Sequence, residues 1–182
     1  TVLEKKYLSE NQIELARRLS EYYFAPLGSI LKLMVPKAAK QRTKNKAATG
    51  KSKKNVKIEK IALKILSSSK KKFLLTGTGR QREEININLV HECLKEKKQC
   101  LILVPEIFSV QSTHERLQPF FSQEIALMHS RITKGQFFEQ WKAIRSGKTK
   151  IVIASKQGIF LQFADLGLII VQEEQDASFK QW

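Results

Sequence analysis

The sequence is poor in cysteine, and its two cysteines stand apart. Cys93 and Cys100 lack the CxxC spacing of zinc ribbons and redox motifs, so we expect no metal site. Two isolated thiols favour a reducing cytoplasm. The chain also lacks a secretory signal and any apolar run near the roughly 20 residues that a membrane span needs. We therefore predict a cytoplasmic location and no membrane partner.

Acidic residues are scarce relative to basic ones, and the imbalance is local. The formal charge is +16, yet residues 31–72 carry fifteen Lys or Arg and one Glu. A basic segment of this kind binds polyanions through counterion release, although it is also compatible with a solvated linker that contacts nothing. The lysines of this segment that we predict to contact DNA are Lys44, Lys46, Lys51, Lys53, Lys54 and Lys57.

The first 36 residues predict two short helical elements. Ser9-Glu10-Asn11-Gln12 has the pattern of a capping box, and apolar residues follow it at helical spacing. Pro26 and Gly28 interrupt that helix, and a second apolar element runs from Ile30 to Val35. Because two such elements make only part of a domain and the chain begins at Thr1, we expect a piece of a longer protein.

Residues 37–57 have few large apolar side chains and are predicted to be a flexible, lysine-rich linker. From residue 58 onward the pattern is that of a second domain, 58–182. Short apolar runs, such as 73–75, 100–104, 125–128, 151–153 and 168–171, alternate there with helical patterns. This alternation predicts an α/β fold, in which a parallel sheet has helices on both faces.

A glycine-rich turn, Thr76-Gly77-Thr78-Gly79, follows the first of these apolar runs and precedes a helical pattern. Such a turn in a parallel α/β sheet is a common place for phosphate groups. A working phosphate loop has the sequence GxxxxGK[ST], whose lysine and hydroxyl contact the outer phosphates and magnesium. The turn and its surroundings fit this arrangement, but the residues that follow the turn do not.

Several longer stretches carry a resemblance to one family. They are LLTGTG (residues 74–79), LVPEI (103–107), MHSRIT (128–133), EQWKAIRSGKTKIVIAS (139–155) and LGLIIVQEEQDASFKQ (166–181). Together they resemble the primosomal protein N′ (PriA) family of superfamily 2 DNA helicases, whose last stretch reads LGLIIVDEEHDxSYKQ. The front segment ENQIELARRLSEYYFAPLGSILKLMVP (residues 10–36) is similar to the sequence just before the motor of that family.

The resemblance implies a RecA-like P-loop NTPase lobe at residues 58–182, incomplete without its second lobe. It implies that residues 1–36 close a winged-helix-like DNA-binding domain. It further implies ATP and magnesium as cofactors, forked or single-stranded DNA as a partner, and primosome proteins as further partners. Lys156 lies in the segment that corresponds to the family's GTRSA loop and is a further predicted DNA contact.

The phosphate loop departs from the family's GxTGSGKT. One residue is missing after Gly77, and Gln81 replaces the second motif glycine. Arg82 stands where the lysine belongs, and its planar guanidinium is not equivalent to an ammonium point charge. Glu83 stands at the Ser/Thr position, where a carboxylate would repel a triphosphate. The resemblance still assigns Gly77, Thr78 and Gly79 to the degenerate loop.

The second motif is also altered. Where the family has DEEH, this chain has Gln172-Glu173-Glu174-Gln175. Glu173 remains at the position of the base that activates water, and we interpret it as a vestigial catalytic residue. Gln172 is a much weaker magnesium ligand than aspartate, and Gln175 replaces the histidine that couples hydrolysis to DNA in the family. These changes place the binding of ATP and magnesium in doubt.

The leading hypothesis is therefore a DNA-binding, replication-restart type of chain that is impaired in ATP hydrolysis. One alternative is an active ATP-dependent 3′–5′ DNA helicase that tolerates a divergent phosphate loop. A second alternative is a gene fragment without function, which the sequence does not exclude.

Overall fold

The computed structural model describes residues 8–35, 60–121 and 125–179. The first described range is a helical hairpin, formed by α1 (Glu10–Tyr22) and α2 (Leu27–Met34). The capping box predicted at the start of α1 is confirmed. The Ser9 hydroxyl accepts from the backbone N–H of Gln12, and the Gln12 side chain accepts from the backbone N–H of Ser9.

The remaining chain alternates helix and strand, as the sequence predicts. Its regular elements are α3 (Lys60–Leu66), α4 (Gly79–Lys95), β1 (Gln99–Leu103), α5 (Ile107–Leu117), β2 (Ile125–Met128), α6 (Lys134–Arg145), β3 (Ile151–Ala154) and β4 (Leu166–Val171). Two 3₁₀ helices, Lys156–Phe160 and Ala177–Phe179, follow β3 and β4.

The four strands form one parallel sheet in the order β2-β3-β1-β4. Successive side chains of a strand point to opposite faces, so β1 and β3 supply apolar residues to both. One face packs on α4 and α5 through residues such as Ile102, Val90 and Val110. The other packs on α6 through Trp141 and Ile144. The predicted α/β class, with helices on both faces, is confirmed.

Two sequence predictions about strands are wrong. Residues 73–75 form no strand, and the side chain of Leu74 is 74% exposed. A run of three apolar residues gains little from burial alone, and no described strand pairs with it. An uninterrupted apolar run such as residues 168–171 predicts a buried strand, but β4 lies at the edge of the described sheet and Ile169 is 54% exposed.

The helical hairpin packs against the sheet domain at the 3₁₀ helix that follows β3. Phe160 is buried among Ala16, Ile30 and Met34. The Gln12 side-chain amide, itself buried, donates to the Phe160 carbonyl at 3.2 Å. Burying a carboxamide is costly unless its polar atoms are paired, so this hydrogen bond favours one docked position of the hairpin.

The predicted division into domains 1–36, 37–57 and 58–182 stays a prediction. The lysine-rich linker and its six predicted DNA contacts (Lys44, Lys46, Lys51, Lys53, Lys54 and Lys57) lie outside the described residues. The described part of the predicted second domain begins with α3, where Ala62 is buried and Ile61 is half exposed.

Candidate functional site

The glycine-rich turn leads directly into the amino terminus of α4. Gly77 has φ +138°, a conformation that side chains rarely adopt, so glycine is required there. Thr78 is the N-cap of α4, and its hydroxyl accepts from the backbone N–H of Gln81 at 3.3 Å. Gly79 begins the helix, and a Cβ added there would meet no atom within 4 Å.

Gln81 folds back over the turn. Its side-chain oxygen lies 3.1 Å from both the backbone nitrogen and the hydroxyl of Thr78, and each of these groups donates to it. The same oxygen would lie 3.1 Å from a Cβ on Gly77. The Gln81 side-chain oxygen therefore already accepts from the Thr78 N–H, the group to which a bound anion would otherwise be hydrogen-bonded.

This contact is the ordinary capping box of a helix amino terminus. Ser9 with Gln12 caps α1 and Thr133 with Gln136 caps α6 in the same reciprocal way. The sequence patterns indicated the box only at Ser9, and the resemblance assigned the turn at Thr78 to a degenerate phosphate loop. The pattern Thr78-Gly79-Arg80-Gln81 carries the same S/T-x-x-Q signal and could have predicted the cap.

Residues of the predicted phosphate loop and of the predicted second motif contact one another. Arg82 on α4 forms an ion pair with Glu173, which follows β4, at 3.6 Å. The Gln175 side-chain amide donates to the other oxygen of Glu173 at 2.8 Å. Glu173 has φ +52°, an uncommon left-handed conformation outside the strand. The structure thus brings the predicted loop and the predicted second motif together.

Two residues of α5 complete the site, and neither was predicted from the sequence. Arg116 forms an ion pair with Glu83 at 3.6 Å and donates to the Thr113 hydroxyl at 3.2 Å. Thr113, which is buried, donates to the side-chain oxygen of Gln172 at 3.3 Å. Their spacing of three residues places them on one helix face, but no motif singles them out.

The charges of the site balance. Arg82 and Arg116 face Glu173 and Glu83, which gives two positive and two negative groups. All four side chains are more than a third exposed, so each ion pair stabilises the fold by at most about 1 kcal/mol. The arrangement links α4, α5 and the end of β4 without an excess of positive charge.

Lys156 lies at the start of the 3₁₀ helix after β3, at the carboxyl edge of the sheet. Its ammonium lies 3.5 Å from the Ser178 carbonyl. In the neighbouring turn, Asp176 accepts from the backbone N–H of Ser178, and this hydrogen bond holds the pKa of Asp176 below its usual range. The 166–181 stretch therefore approaches the segment that the resemblance assigns to DNA.

Known proteins are similar to this chain over most of its length. Residues 1–36 match the family model described as the 3′DNA-binding domain (3′BD). The chain is 35% identical over 178 residues to the replication restart protein PriA of Rickettsia prowazekii, covering 93% of this chain and 27% of that protein. It is 32% identical over 180 residues to PriA of Helicobacter pylori strain J99, covering 96% of this chain and 28% of that protein.

A shorter match has a higher identity. PriA of Haemophilus influenzae is 43% identical over 110 residues, which cover 60% of this chain and 15% of that protein. The chain spans 27% of the length of the Rickettsia relative and 28% of the Helicobacter relative. Within the described residues no helix is long and apolar enough to cross a membrane. Identity of 32–35% over 93–96% of the chain, together with the match of residues 1–36 to the 3′BD model, shows that the chain belongs to the PriA family.

Proposed function

We propose that this chain is a DNA-binding part of a cytoplasmic replication-restart protein, and that its helicase-like lobe is a scaffold that does not hydrolyse ATP efficiently. The contact of Gln81 with Thr78 is the main support for the claim that the lobe does not hydrolyse ATP efficiently. A phosphate cradle must offer unpaired N–H groups, and here the Gln81 oxygen already accepts from the Thr78 N–H at 3.1 Å.

The electrostatics of the site support the same proposal. ATP with magnesium requires a cation for the outer phosphates and a hard oxygen ligand for the metal. Arg82 is paired with Glu173, and the Glu83 carboxylate stands where the family has a hydroxyl. The Gln172 amide oxygen already accepts from Thr113. These residues do not fit ATP and magnesium well.

DNA binding is supported by two features elsewhere in the chain. The family model that matches residues 1–36 is described as a 3′DNA-binding domain. Residues 31–72 have a net charge of +14, from fifteen basic residues and one acidic residue. We propose that lysines of this segment and Lys156 contact the phosphate backbone without reading its sequence. On this proposal the sheet domain also offers a surface to primosome proteins.

The test is a titration of the full chain with labelled fork DNA at several salt concentrations. We expect binding whose affinity falls steeply as salt rises, because phosphate contacts release counterions. Absence of salt-sensitive binding at low ionic strength would contradict the DNA-binding half. Loss of binding when Lys51, Lys53, Lys54 and Lys57 are changed to glutamine would locate the contacts.

A second measurement tests the ATPase half. We expect no saturable binding of ATP, with or without magnesium, and no hydrolysis stimulated by DNA. The outcome that favours the alternative, an active helicase with a divergent loop, is DNA-stimulated hydrolysis that Glu173→Gln abolishes. That variant keeps the shape of the side chain and removes its carboxylate, so a contaminating ATPase would be unaffected by it.

A further inference from the structure

An exposed aromatic ring stands at the carboxyl edge of the sheet. Phe108 is the second residue of α5, just after β1, and its side chain is 70% exposed. Its neighbour Val110 is almost fully buried. An isolated exposed apolar side chain is common and needs no explanation by itself. The feature that distinguishes Phe108 is the charged group placed against its ring.

The guanidinium carbon of Arg131 lies 5.1 Å from the centroid of the Phe108 ring. This distance is typical of a cation–π contact, in which one face of the ring is covered. The backbone N–H of Arg131 donates to His129 Nδ1 at 3.3 Å, which ties the turn after β2. Within the described ranges no carboxylate lies within ion-pair distance of Arg131, so its charge is not neutralised locally.

Basic residues lie at the same edge of the sheet as the ring, although Glu106, the N-cap of α5, is an acidic residue close to Phe108 in sequence. Phe108 follows β1, Arg131 follows β2 and Lys156 follows β3, so all three lie at the same edge of adjacent parallel strands. Lys134 begins α6 in the same region. Ligands of parallel α/β sheets bind at this carboxyl edge. An open aromatic face beside the Arg131 guanidinium matches a flat, uncharged ring joined to an anionic backbone.

We propose that Phe108 and Arg131 form a stacking site for one base of a single-stranded nucleic acid. The base would lie on the open face of Phe108, and Arg131 would hold the ring in place while attracting the adjacent phosphate. Bases in a duplex are stacked on each other, so only an unpaired base can use this site. The inference rests on the proposed DNA binding and specifies where and how one part of the strand is held.

The experiment compares two single strands of equal length and charge, oligothymidylate and an oligomer of abasic sites, by fluorescence anisotropy on the full chain. We expect the intact chain to bind oligothymidylate more tightly. Phe108→Leu removes the aromatic face and should weaken oligothymidylate binding by about five- to a hundredfold. It should leave the abasic strand and the salt dependence unchanged, because leucine alters no phosphate contact. Phe108→Trp should restore the preference.

Phe73→Leu is the matched control, since Phe73 is also exposed and lies before the glycine-rich turn. It should bind both strands as the intact chain does, and thermal melting should show that all three variants fold. Equal affinity of the intact chain and Phe108→Leu for oligothymidylate, with binding otherwise intact, would overturn the stacking site and leave the proposed DNA binding standing. Absence of binding to either strand by the intact chain would overturn both.

Discussion

Replacing Gln81 with alanine tests whether the glycine-rich turn is now an ordinary helix cap. The change removes the acceptor for the Thr78 N–H and the Thr78 hydroxyl, both at 3.1 Å. It keeps the bond from the backbone N–H of residue 81 to the Thr78 hydroxyl. Because the turn is exposed, water can replace the lost acceptor, and the net loss is about 1 kcal/mol in the free energy of unfolding. For a chain of this size that is a fall in Tm of about 3 °C.

Gln136→Ala is the matched control, because Gln136 accepts from the Thr133 N–H at 3.0 Å in the same type of box at α6. Chemical denaturation followed by circular dichroism should give similar losses for the two variants. Addition of ATP with magnesium should not raise the Tm of the intact chain or of either variant. The reasoning is refuted if Gln81→Ala leaves stability unchanged, or if it alone gains stabilisation from ATP, since the glutamine would then merely cover a working phosphate site.

Three further predictions follow from packing and burial. Gly158→Ala should lower the free energy of unfolding by about 1–3 kcal/mol, because a Cβ at this position would collide with the Ala154 Cβ. Gly79→Ala should leave the free energy of unfolding unchanged, since a Cβ there meets no atom within 4 Å, and urea denaturation of both variants measures the difference. Burial lowers the pKa of His114 in the folded state. The contribution of neutral His114 to the stability of the fold should therefore be fully present above the unfolded pKa and fall as the pH drops from 7 to 5. Thermal melts of His114→Gln should show a smaller fall over the same pH range. Burial raises the pKa of Cys93 to about 11 and that of Cys100 well above its usual range. Both thiols should therefore react slowly with a disulfide reagent at pH 8, and they should react fast once the chain is unfolded in guanidinium.

Much of the architecture could be predicted from local patterns. The capping box at Ser9 and the alternation of apolar runs with helical periods determine α1 and the order of strands and helices, because each depends on neighbours within a few positions. The run at residues 73–75 shows the limit of such reasoning. Three apolar residues satisfy a strand pattern, but a strand also needs a partner for its backbone, and no described strand offers one.

The candidate site was predicted only in part. Sequence reasoning identified Arg82 and Glu173 as altered members of two motifs, and the structure places them 3.6 Å apart. It could not identify Thr113 and Arg116, because their role depends on α5 lying beside the end of β4 and the start of α4. Contacts between residues about 30 to 60 positions apart leave no local pattern in a single sequence.

The sequence by itself determined the class of fold, the family and which residues were candidates for the site, since these depend on short-range patterns and on matching residue types. Tertiary structure decided how those residues are used. Gln81 occupies the turn, the two ion pairs close the site, and Phe160 fixes the hairpin. The core contains a further example in Gln99. Its fully buried side chain forms hydrogen bonds with the backbone of Ile144, Thr149, Ala164 and Asp165. A polar residue can be buried only when distant partners satisfy it, and only the folded chain supplies those partners.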